Sequence, residues 1–169
     1  MQGGILQMNN EQKLLIFKNI VLFVLGFCLY CTIEVLFRGF SFASMGILGG
    51  LAVVIIDKIN DRISWDMDLT IQALIGAFII TTMEFIVGEI ALRTNILPVM
   101  WDYSDIALNI DGVICAPFMI AWAALSIIAI WVADAVNYYV FEDTETPYYM
   151  IFGKWKITFI KKKCDLLSR

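Results

Sequence analysis

Residues 14–37 read LLIFKNIVLFVLGFCLYCTIEVLF, a run in which only Lys18 and Glu34 carry charge. As a helix it would rise roughly 36 Å at 1.5 Å per residue, more than a hydrocarbon core of about 30 Å requires. Such a run reads as a membrane span, and Lys18 near its start can snorkel to the headgroups. It is too long for the apolar region of a cleaved leader and lacks an A-x-A site after it, so it is expected to remain as a helix.

Three further runs follow. Phe42 to Ile56 is short and contains Gly46, Gly49 and Gly50, a composition that favours close helix contact in a membrane. A polar loop from Asp57 to Asp68 holds Lys58 and Arg62. The third span is placed at Leu69 to Ala91, and the fourth at Val113 to Val136 with Pro117 in its first turns, where proline is tolerated. Thr94 to Gly112 is long for a connection in a compact bundle. Its Ile96, Leu97, Pro98, Val99, Met100 and Trp101 predict a segment in the interface or dipping between helices. The expected fold is therefore all-α, a polytopic bundle of about four transmembrane helices with a long, partly ordered outer loop. Residues 1–140 would form the transmembrane domain and 141–169 a basic, aromatic tail.

Composition agrees. Apolar residues make up 60% of the 169-residue chain and charged residues 17%, against about 45–50% and 25% in soluble proteins. Lys13, Lys18, Lys58, Arg62, five tail lysines and Arg169 fall on one side of the spans, against Arg38 and Arg93 on the other. That bias places both termini in the cytoplasm. In the tail, Tyr148, Tyr149, Phe152, Trp155 and Phe159 alternate with Lys154, Lys156, Lys161, Lys162 and Lys163. Such a mixture suits a segment lying on anionic lipid headgroups; a disordered basic tail is the plainer reading. Thr32-Ile33-Glu34 recurs fifty residues later as Thr82-Met83-Glu84, which hints at two related helix hairpins.

Several chemistries are excluded. There is no histidine, hence neither the usual general base nor the commonest metal ligand. The Cys28-x-x-Cys31 pair lies within an apolar helix without a second pair, and Cys115 and Cys164 stand apart; helix packing explains them. No G-x-x-x-x-G-K-[ST] phosphate loop, Ser/His/Asp set, H-E-x-x-H or basic groove for nucleic acid is present. No catalytic residue, cofactor or metal is expected, and the chain reads as a non-enzyme.

Charge inside a membrane carries the remaining information, because each ionised group at a helix centre costs at least about 2.5–3.5 kcal/mol. Glu34 lies roughly 24 Å along its helix from Lys18, and Glu84 roughly 22 Å from Leu69, at 1.5 Å per residue. Both therefore fall in the outer third of the core. Arg38 stands one turn from Glu34 and can pair with it; Arg93 can reach Glu84, Glu89 or Glu34. Trp101, Asp102, Tyr103, Ser104 and Asn109 of the outer loop would meet them at the same level. The cluster reads either as a polar pocket opening outward or as a hydrogen-bonded network fixing helix register. Asp134 near the inner end of the fourth span is expected to reach water or the tail lysines, and Trp122 and Trp131 to pack or form a belt.

Tyr30-x3-Glu34 followed by Arg38-Gly39-Phe40 resembles the opening of the type IV ABC-transporter membrane family (CmpB-like), whose members carry a first-helix glutamate and then R-G-F. The stretch from Glu84 through Trp101-Asp102-Tyr103-Ser104, Asn109, Gly112, Ile114-Cys115, Pro117-Phe118 and Trp122 is similar to the family's W-D-Y-S and N-x-x-G-x-I-C-x-P-F-x-x-x-W segments. The resemblance covers roughly residues 26 to 135. The family's loop after R-G-F, with N-G-P and C-P-I-Y-G-like residues, is replaced here by Ser41-Phe42-Ala43-Ser44. The resemblance implies a transporter-type subunit in the inner membrane of a bacterium, a homo-oligomer drawing energy from a separate ATPase subunit. A different class of function is a non-transporting membrane protein: a small pore, a holin-like protein, or a regulator of a membrane complex, encoded by a phage or mobile element.

Overall fold

The computed structural model describes residues 9–94, 96–141 and 145–162. Four helices carry the fold: α1 (Asn10–Arg38), α2 (Ala43–Asn60), α3 (Leu69–Arg93) and α4 (Ala116–Tyr139). Two small antiparallel hairpins accompany them, β1 (Asn109–Ile110) with β2 (Ile114–Cys115), and β3 (Tyr148–Ile151) with β4 (Trp155–Thr158). The all-α expectation is corrected by these hairpins. Along β3 and β4 side chains alternate across the ribbon, with Tyr149 opposite Ile157 and Ile151 opposite Trp155, a period of two that the basic, aromatic composition of the tail concealed.

Local signals set the helix ends. Asn9 and Gln12 form a reciprocal capping box at the start of α1, and Gly39 closes it in the left-handed conformation. Asp68 accepts the Thr70 amide at the start of α3, and Pro117 stands in the first turn of α4. α4 begins at Ala116 rather than Val113, because Ile114 and Cys115 pair with β1. α2 continues past Ile56 to Asn60, so Asp57 lies inside a helix and not in the polar loop.

α1, α3 and α4 are long and apolar enough to cross a membrane. Their outward surfaces stay apolar: Leu36, Phe37, Phe78 and Ile120 are each more than two-thirds exposed. In water such surfaces would be an aggregation hazard; in lipid they face a matching solvent.

The helices pack as two pairs, α1 against α2 and α3 against α4. Gly26 makes the first approach possible, since a methyl group there would lie 2.8 Å from the Gly49 carbonyl oxygen. Gly76, fifty residues on, meets the Ser126 side chain on α4 in the same way. Thr32 and Thr82 both donate to the carbonyl four residues back, Cys28 and Phe78, at 2.7 Å. Between the pairs, Leu22, Val53 and Ala133 form one core cluster and Ile56, Ile130 and Tyr149 another.

Candidate functional site

One polar centre lies toward the end of the bundle that carries the 96–115 loop. Glu84 on α3 is 4% exposed. Its Oε1 accepts from the Tyr103 hydroxyl and its Oε2 from the Trp122 indole, both at 2.8 Å. Tyr103 stacks on Phe118 with ring centroids 4.6 Å apart, and Tyr30 of α1 lies 6.1 Å from Trp122. The carboxylate is thus framed by four aromatic rings drawn from α1, α4 and the loop. Among the described residues no lysine or arginine forms an ion pair with it.

A second carboxylate completes the centre. Glu34 pairs with Arg38 one turn on at 2.9 Å, accepts from Ser41 at 2.6 Å and receives the Tyr30 hydroxyl at 3.4 Å. Arg38 also reaches the Met100 carbonyl at 3.1 Å, while its guanidinium lies over Phe40 and Phe42 at 4.7 and 5.6 Å. Cation–π contacts and the ion pair together hold this arginine to Glu34 and away from Glu84.

The loop is built to deliver Tyr103. Trp101 donates to the Val113 carbonyl at 2.8 Å, and the Tyr103 amide to Gly112 at 2.7 Å. Asn109 bridges Ile106, Ser104 and the Gly112 amide. Gly112 adopts a φ of 67°, where a side chain would be strained. Asp102 accepts from both the hydroxyl and the amide of Ser104, which hold its carboxyl below the usual carboxylate range.

Of the residues singled out from sequence, Glu34, Arg38, Glu84 and Tyr103 meet in one centre. Trp101, Asp102, Ser104 and Asn109 shape the loop above it. Arg93 stays apart: it pairs with Glu89 one turn back and is largely exposed, the local partner being the nearer one. Trp122, expected only to pack, is a carboxylate ligand. Its signal was present, because a buried indole N–H needs an acceptor and Phe118-x-x-x-Trp122 places both rings on one helix face.

Between the α1–α2 and α3–α4 pairs lies a cavity of about 90 Å³, whose wall includes Tyr30, Glu84 and Trp122 among aliphatic side chains. Its exposed rim is formed by Leu29 and Ile33 of α1 and Ile128 of α4. It therefore opens sideways, between α1 and α4.

The opposite end carries a second network that sequence reading missed. Asp57 is 2% exposed; it pairs with Lys18 at 3.3 Å and accepts from Asn137 at 2.7 Å. Lys18 thus bridges to a helix partner, also reaching Asp61 at 3.8 Å, and does not snorkel away. Asp134 is buried, which corrects the expectation that it reaches water, and it accepts the hydroxyl of Tyr149 from the tail at 2.7 Å. Burial and the Asp134 carboxylate push the Tyr149 phenol upward from its ordinary range.

The β3–β4 hairpin is tied to this end through Trp65–Glu145, Tyr148–Asp66 and the Gly153 amide on Asp68. Lys154 and Lys161 are exposed. Lys156 lies 3.4 Å over the Tyr148 ring and Lys162 4.3 Å over Tyr138. Lys163 falls outside the described residues. Cys28, Cys31 and Cys115 are free thiols.

Neither a curated protein nor a solved structure matches the chain. A family model does, and it spans residues 16–161, taking in most of α1, all of α2, α3 and α4, the loop above Glu84 and the β3–β4 hairpin. With a membrane-crossing architecture and a match over most of its length, the chain is a multi-pass membrane protein that belongs to the family described as "Putative ABC-transporter type IV".

Proposed function

We propose that this chain is the membrane-spanning subunit of a transporter, without chemistry of its own, working with a separate ATPase subunit in the cytoplasmic membrane of a bacterium. The chain has no phosphate-binding loop, so nucleotide-driven movement needs a partner. The observation that carries the reading is Glu84: a carboxylate set in an apolar helix, held by two neutral donors, and lining a cavity between two helix pairs. A purely structural carboxylate at this depth would be expected to pair with a cation, as Glu34 does with Arg38.

In this reading α2 is the fourth span. Its 18 residues rise about 27 Å, enough for a slightly thinned core. Both chain ends then lie in the cytoplasm, the 96–115 loop faces outward, and the β3–β4 hairpin rests its lysines and aromatic residues on the anionic inner leaflet. A cysteine placed at Asp105 should be modified by an impermeant reagent from outside and one at Asp61 should not. The reverse pattern would overturn the arrangement.

The partner is tested by isolating the tagged chain in mild detergent. Co-purification of a protein with nucleotide-binding motifs and ATP hydrolysis is the expected result, together with further copies of this chain. Isolation without any ATPase, combined with collapse of the membrane potential on expression, would replace the transporter by a pore.

A further inference from the structure

The cavity beside Glu84 has a composition that selects a ligand. A carboxylate has about four acceptor positions, and Tyr103 and Trp122 occupy two of those on Glu84. The remaining wall offers the rings of Tyr30 and Trp122 and otherwise aliphatic groups. A carboxyl group with no ion-pair partner among the described residues, set among aromatic faces, is a combination that recognises an alkylated ammonium group: the arriving cation favours the ionised carboxyl by Coulomb attraction and meets the ring quadrupoles.

Size and access narrow the class further. A cavity of about 90 Å³ is somewhat smaller than the roughly 150 Å³ that holds a benzene ring. It accommodates a small head of a few heavy atoms and not a large planar cation. The rim of Leu29, Ile33 and Ile128 opens between α1 and α4 toward the lipid, so an alkyl chain attached to that head would leave through the side and lie against the bilayer.

We infer that Glu84, Tyr30 and Trp122 form a binding site for an amphipathic organic cation, an alkylammonium head in the cavity with its chain directed sideways between α1 and α4. This names the substrate class of the transporter proposed above and rests on that reading.

Equilibrium dialysis of the purified full chain in maltoside micelles tests the site. The probes are octyltrimethylammonium and octanol, which share a chain and differ in charge. The cation should bind about ten-fold more tightly than octanol to the wild-type chain, the scale expected for one partly desolvated charge contact. Glu84→Gln should remove that difference and leave octanol binding unchanged. Should Glu84→Gln fail to fold, Tyr30→Leu decides alone, with the preference for the cation over octanol reduced about five-fold for loss of one ring face.

Equal binding of the two probes, or variants that bind the cation as well as wild type, would overturn the site. Cation binding with no ATP-driven flux would support the site and remove the transporter reading. Flux of another solute class with no cation binding would do the reverse.

Discussion

The two buried polar networks of this bundle use the same side-chain types to opposite ends. At the hairpin end, Asp57 meets Lys18 and Asn137, and Asp134 meets Tyr149. At the loop end, Glu34 meets Arg38, but among the described residues Glu84 meets a phenol and an indole and no cation. The first network stitches α1, α2, α4 and β3 together, each contact joining different elements. The second centres on Glu84, which borders a cavity, while Arg38 and Arg93 are committed to Glu34 and Glu89. Charge neutralised across helices sets register; a carboxyl group held by neutral donors beside empty space is available to something that arrives.

Substitution can break this contrast. Lys18→Met should be the most damaging single change, because it strands the Asp57 carboxylate in a buried site; losing one partner of such a pair costs about 3–5 kcal/mol. Glu84→Gln replaces a carboxyl group that has no ionic partner among the described residues, keeps one acceptor for Trp122, and should change stability by less than about 1 kcal/mol. Thermal unfolding of the two variants in the same detergent measures both. Equal losses would mean that Glu84 is as structural as Asp57, and the contrast between the two ends would fail.

Much of the loop-end centre was readable because its decisive relations are local. Glu34 and Arg38 are one turn apart, and the Trp101–Ser104 segment with Asn109 and Gly112 is a self-contained loop signature. The spans were readable for the same reason, since hydropathy is a property of contiguous residues. The hairpin end was hidden because its bonds run between distant positions. Asp57 reads as the start of a loop until Lys18, on another helix, allows the helix to continue through it. Asp134 reads as reaching water or the tail lysines until β3 folds back and places the Tyr149 hydroxyl on it. Trp122 lies thirty-eight residues from Glu84, and nothing in its own neighbourhood names that acceptor.

The contrast has a surface counterpart of smaller effect at Asp68, which joins both kinds of relation in one half-buried carboxylate. Locally it caps α3 through the Thr70 amide; at long range it holds the Gly153 amide at the tip of the hairpin. These amides, that of Thr70 foremost, lower its pKa from the ordinary value. A folded-state pKa below the unfolded one stabilises the fold above the unfolded value, about 3.9, and that contribution is lost as pH falls through the folded pKa. The hairpin tip should therefore stay protected near neutrality and loosen only below about pH 4. Asp68→Ala should speed hydrogen exchange at Gly153 and Thr70 near neutrality, with the difference from wild type fading below about pH 4, and should lower the unfolding temperature by only a few degrees. Exchange in that variant matching the wild type near neutrality would mean that the hairpin is held by Tyr149, Trp65 and Tyr148 alone. The cap would then act on α3 without reaching the tail.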